Sequence, residues 1–198
     1  MKILLVAEGK HELGDGGGGG ALAHLVARLL DRDVAFVTKW LKEAPMHVHR
    51  GKGRGFFVKA IRFMIDAARS PDKFDALVLV VDEDGQPDRI RQMDKAQGDQ
   101  TSRIARALGV AVRSFDAWML ADERALSRVL AASVPRQPEI EEIRTPKETC
   151  TTLLEESDKS ISLTELYAAV SREAKLSVLI GRCPTGFAPF AERVRAMA

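Results

Sequence analysis

A chain of 198 residues, 45% hydrophobic and 29% charged, is large and apolar enough to bury an ordinary single-domain core, which argues against a disordered chain. Its two cysteines, Cys150 and Cys183, exclude a disulfide scaffold and lack zinc-ligand spacing, so both read as reduced thiols. The formal net charge of +2 selects no class of partner by itself, because Lys and Arg are unevenly distributed.

The first apolar run, residues 2–7, has no basic flank and spans only about six residues, so it reads as a strand and not as a signal peptide. No other stretch approaches the length of a membrane span, and a soluble cytoplasmic protein without a membrane partner is expected. A glycine-rich loop, residues 14–20, then leads into a helix marked by Leu22, Leu25, Val26, Leu29 and Leu30 at helical spacing. Residues 34–39 form the second expected strand, followed by a loop, EAPMHVHRGKGRG, rich in turn formers and positive charge. A helix over 56–68 is stopped by Ser70-Pro71, and 74–81 is the strongest strand, an unbroken apolar run suited to a sheet covered on both faces. Residues 88–108 read as mostly helical with Gly98 as a break, 110–114 as the fourth strand, and 115–130 as a helix. Beyond Pro135 and Pro138, helices are expected over 146–156, 162–175 and 187–197. The alternation implies an α/β, Rossmann-like sandwich with a mainly parallel sheet of about four strands. One domain, 1–198, is expected, with an α/β core over 1–130 and a helical extension over 131–198.

Carboxylates follow two of these strands at once. EGKHE places Glu8 and Glu12 after the first, and VVDEDG places Asp82 and Asp84 after the third. Strand alternation would turn Asp82 and Asp84 to one side and Glu83 to the other. If the third strand lies beside the first, all four acids meet at the carboxyl edge of the sheet, where open α/β folds build sites. Such a cluster repels itself unless a cation sits in it, and hard carboxylate oxygens suit Mg2+ or Mn2+. Asp116, after the fourth strand, is a candidate supporting carboxylate, and Asp122 a poorer one. The bland reading is solvated glutamates and a polar Asp84-Gly85 turn.

Positive charge gathers between the second and third strands, in Lys39, Lys42, His47, His49, Arg50, Lys52, Arg54, Lys59 and Arg62, with Trp40, Phe56 and Phe57 interleaved. Cations beside a carboxylate site suit a polyanion, and aromatic rings can stack on unpaired bases. Nucleic acid is therefore the expected partner, with Arg50, Lys52 and Arg54 contacting phosphate, Lys147 reaching another, and Lys10 offsetting charge in the transition state. The alternative is a solvated loop whose phenylalanines, Phe57 above all, belong to the next helix's core face. Gly14, Gly16 and Gly19 satisfy G-x-G-x-x-G, but the loop starts several residues after the strand and Asp33 precedes the second strand, so a dinucleotide site is the weaker reading. His47 and His49 lack a third metal ligand.

Together these segments resemble a TOPRIM domain, the metal-binding α/β module of topoisomerases, primases and overcoming-lysogenization-defect nucleases. Glu8-Gly9 and Asp82-x-Asp84 carry the resemblance. The chain is more closely similar to an uncharacterised bacterial TOPRIM-like family patterned E-G-x-x-E, D-x-D-G, F-E-A-W-L-L-A-D, P-K-E and C-P-S-F. Here these read EGKHE, DEDG, FDAWMLAD, PKE and CPTGF, with Asp116 shortening the usual glutamate. The resemblance implies a TOPRIM-like sandwich, a metal site and a nuclease-like activity. It also implies a possible ATPase partner of the kind found in mobile-element defence systems. The leading expectation is a Mg2+- or Mn2+-dependent nuclease or related phosphoryl-transfer enzyme. Asp82 and Asp84 would hold the metal, Glu8 would serve as general base or ligand, and Glu12 and Asp116 would hold a second ion. The alternative is a non-catalytic subunit that binds nucleic acid or a partner such as that ATPase.

Overall fold

The computed structural model describes residues 1–14, 19–43 and 55–198. Along the chain lie β1 (Lys2–Ala7), α1 (Lys10–Leu13), α2 (Ala21–Leu30), β2 (Ala35–Trp40), α3 (Phe56–Arg69), β3 (Ala76–Asp82), α4 (Asp88–Gln97) and β4 (Ala105–Ala111). Then follow α5 (Phe115–Leu120), α6 (Glu123–Leu130), α7 (Pro146–Glu155), α8 (Leu163–Glu173), α9 (Leu176–Arg182) and α10 (Phe187–Arg195). The four strands are all parallel, in the order β2-β1-β3-β4. Among the described residues, no helix is long and apolar enough to cross a membrane.

β1 and β3 are apolar without interruption because both faces of the sheet are covered. Alternation sends Ile3, Leu5, Ala7, Val78 and Val80 into one core, shared with α2, α5, α8 and α10. Leu4, Val6, Leu77, Leu79 and Val81 enter the other, shared with α3 and α4. The carboxyl-terminal helices are part of the first core: α8 packs on α1 and α2, and α10 on β4. Trp118 of α5 stacks on Phe190 of α10 with ring centroids 5.4 Å apart.

Three expected elements differ in the structure, and two more appear that were not expected. The fourth strand is Ala105–Ala111, not 110–114, and α4 ends at Gln97. Residues 105–111 hold good helix formers, yet β3 offers them a full ladder from Ala76↔Ala105 to Asp82↔Ala111, and pairing overrides propensity. The outer edge of β4 is closed by side chains. Gln97 Oε1 accepts from the Leu108 amide at 2.9 Å, and Arg193 donates to the Leu108 carbonyl at 2.6 Å. The expected helix over 115–130 is two, because Asp122 caps α6, accepting from the amides of Arg124 and Ala125 at 3.1 Å each. Its other oxygen accepts from the Lys175 amide at 2.8 Å, so Asp122 is a structural residue and not a site acid. Helix α9 and the four-residue α1 were not expected at all.

In the glycine run, Gly20 has the clearest structural role. A Cβ there would lie 2.1 Å from the Leu13 carbonyl carbon, so only glycine lets α2 start against α1. Gly20→Ala is expected to cost about 2 kcal/mol or more, as overpacking of a backbone contact does, read by denaturant unfolding. Gly16 of the G-x-G-x-x-G pattern lies outside the described residues.

Candidate functional site

The sheet order makes β1 and β3 neighbours, and the chain leaves them in opposite directions, toward β2 and toward β4. Such a switch of direction leaves a crevice beyond the carboxyl ends of the two strands. A cleft of about 700 Å³ opens there, and Glu8, Glu12, Asp82, Asp84 and Asp116 all line it. The adjacency of β1 and β3 on which the sequence reading depended is present.

Asp82 is the last residue of β3, and its Oδ1 accepts from the Phe115 amide at 2.8 Å. Burial, then the charge of Glu12 beside it, pushes its carboxyl up to about 8. Glu12 sits in α1, is 7% exposed, and has an Oε2 without a hydrogen-bond partner among the described residues. Burial pushes its carboxyl up to about 7, with Asp116 and Glu8 adding to the effect. Gly9 makes room for it: a Cβ at that position would lie 2.5 Å from Glu12 Oε2. The Glu-Gly pair is thereby explained by the neighbouring acid more than by a sharp turn, since the Gly9 φ of −118° is open to any residue.

Asp116 is buried and well satisfied. Ser114 Oγ donates to its Oδ2 at 2.7 Å, and the Tyr167 hydroxyl of α8 donates to its Oδ1. Glu8 is half-buried, and burial raises its pKa against the opposing pull of Arg89. Asp84 departs from the expected alternation because β3 ends at Asp82 and Asp84 adopts a left-handed φ of 50°. Its Oδ2 accepts from Arg89 at 2.9 Å. Glu83 turns away to fasten the loop, accepting from the Gly85 amide at 3.1 Å.

Arg89, in the first turn of α4, was missed by the sequence reading. It donates to the Asp82 carbonyl at 2.5 Å, stands 3.9 Å from Glu8 Oε1, and lies over the Phe56 ring at 4.4 Å. Nothing in the local sequence marks it, because its partners are distant or follow from the tertiary turn after β3. Tyr167, the chain's sole tyrosine, was missed for the same reason. Arg113, Arg144 and Lys147 line the cleft as well, and among the described residues their side chains form no hydrogen bond or ion pair.

The other expected contacts divide. Lys10 is exposed and does not line the cleft. Arg50, Lys52, Arg54, His47 and His49 lie outside the described residues. The aromatic rings of the basic segment have partners from the protein itself. Lys42 lies 4.1 Å over Trp40, Lys59 lies 4.5 Å over Phe56, and Phe57 packs on the core, as its bland reading held.

Comparison with protein-family models, curated proteins and solved structures finds no match. Among the described residues, no three His, Cys, Asp or Glu side chains are grouped so as to hold a metal ion. The donor chemistry still fits a hard cation: carboxylate oxygens crowd one end of the cleft, and one of them is buried and orphaned. Mg2+ is commonly held by only one or two carboxylates, with water and substrate phosphate completing the shell.

Proposed function

We propose that this chain is a Mg2+- or Mn2+-dependent phosphoryl-transfer enzyme, a nuclease in the first instance, with its ion held at the Glu12–Asp82 end of the cleft. The observation that carries the reading is the orphaned Glu12 Oε2, buried beside Asp82 and within the field of Asp116. An unpaired buried carboxylate is costly, and a divalent cation would remove both the missing contact and the repulsion. Such an ion supplies a more acidic bound water and charge neutralisation on a phosphate.

The protein's own groups have distinct tasks in this proposal. Glu8, half-buried and with a raised pKa, would accept a proton from an attacking water. Asp116, fixed by Ser114 and Tyr167, orients the groups around it. Arg113, Arg144 and Lys147 would hold the phosphate backbone of DNA or RNA, together with Arg50, Lys52 and Arg54. Lys10, off the cleft, receives no role. The TOPRIM likeness is proposed on an acid-glycine pair after β1 and an acid pair, Asp82 and Asp84, at and just beyond the end of β3.

The test is incubation of the chain with end-labelled single- and double-stranded DNA and RNA in Mg2+, Mn2+ or chelator. Metal-dependent cleavage of at least one substrate is expected, with none in chelator. No cleavage of any substrate would overturn the reading in favour of a partner-dependent subunit.

A further inference from the structure

Arg89 divides the carboxylates of the cleft into two sets. Its guanidinium is 2.9 Å from Asp84 Oδ2 and 3.9 Å from Glu8 Oε1, whereas Glu12 Oε2 has no partner among the described residues. We infer that Arg89 is a resident counter-cation for Glu8 and Asp84, so that the cleft takes up one divalent ion, at Glu12 and Asp82, and not two. The inference rests on the reading of the cleft as a metal site and specifies which acids serve it.

Three features make Arg89 a fixed charge. The residue is 8% exposed, so it does not swing freely into solvent as a surface arginine does. Its guanidinium faces the Phe56 ring, an arrangement that favours a cation. It also donates to the carbonyl of Asp82, the residue at which β3 ends, so its position is tied to the strand terminus. A second divalent ion between Glu8 and Asp84 would stand against this guanidinium in a partly buried setting, where like charges repel strongly. The other end of the cleft is the reverse case. Among the described residues, Glu12 is 7% exposed with its Oε2 unpartnered, and the Asp82 carboxylate accepts from the Phe115 amide and from no cation. The D-x-D spacing therefore misleads: the left-handed turn at Asp84 delivers the second aspartate to an arginine.

Mn2+ titration by calorimetry on the full chain tests this without reference to turnover. The wild type is expected to bind one ion. Asp82→Asn and Glu12→Gln should each weaken binding by about tenfold or more, and Asp84→Asn by less than about threefold. Arg89→Met, which removes the charge and keeps the length, should admit a second ion. If Arg89→Met does not fold, the contrast between Asp84→Asn and Asp82→Asn decides alone. Two ions on the wild type, or equal losses from Asp84→Asn and Asp82→Asn, overturn the inference and leave the metal reading standing. No binding by the wild type overturns the metal reading itself, and the inference with it.

Discussion

Asp82→Asn is expected to abolish metal-dependent cleavage and leave the chain folded. Asparagine has the shape of aspartate and keeps an oxygen to accept from the Phe115 amide, so the start of α5 stays anchored to the end of β3. What is lost is the negative charge that holds the ion. A metal contributes several kcal/mol to charge stabilisation in such reactions, so the rate should fall by about 10³-fold or more. Cleavage rate and thermal melting, measured on the same preparation, separate the two effects. Cleavage within about threefold of wild type would exclude Asp82 from the site, and a lost melting transition would make its role structural. In the absence of metal, the variant should be at least as stable as wild type at pH 8, because it removes a carboxylate crowded by Glu12, Glu8 and Asp116.

Without metal, the melting temperature is expected to fall as pH rises through the range from about 5 to about 8. In the folded chain the Asp82 carboxyl is pushed up to about 8 and that of Glu12 up to about 7, from ordinary values of 3.8 and 4.5. Between the two sets of values the folded state binds more protons than the unfolded state, and stability declines with rising pH. The protonated-pair stability is fully present below the ordinary carboxyl range and lost above about pH 8. The two groups are coupled, so the combined effect is on the order of a few kcal/mol, or roughly 5–10 °C for a chain of this size. His11 and His24, whose pKa values burial lowers from the ordinary 6.5, act in the opposite sense below that value. Comparison with Asp82→Asn isolates the carboxylate contribution, because the variant should flatten the slope. Saturating Mn2+ should reverse it, since ligating carboxylates must be ionised. A metal-free melting temperature that rises across this range, in wild type and variant alike, would mean that the acids are not crowded.

The parts of the fold written as unbroken apolar runs were legible. β1 was placed to the residue, and β2 and β3 to within two residues, because a strand buried on both faces leaves no other reading of KILLVA or ALVLVV. β4 was misplaced because ARALGVA reads as a helix until β3 offers it a ladder and Phe190 packs within 2.7 Å of where a Cβ on Gly109 would sit. The acids of the cleft were legible for a related reason: charge directly after a buried run marks the strand's end. Their partners were not. Arg89 and Tyr167 reach the site from α4 and α8, and neither contact leaves a trace in local spacing. The split of Asp82 from Asp84 depends on a single φ of 50°, which alternation does not foresee.

The docking of α8 on α1 and α2, with Tyr167 reaching Asp116, has a consequence for biosynthesis. A ribosome finishes β4 well before it reaches α8 and α10, and at about 5–20 residues per second the gap is on the order of seconds. During that interval one face of a parallel sheet lacks the part of its cover that α8 and α10 supply, and the cleft lacks the phenol that steadies one of its acids. Nascent chains in that state are vulnerable to self-association, so a fragment ending at residue 130 would not be a minimal version of this protein. Helices α8 and α10 thus set when that face of the sheet is closed, as well as when the acids of the cleft come into place.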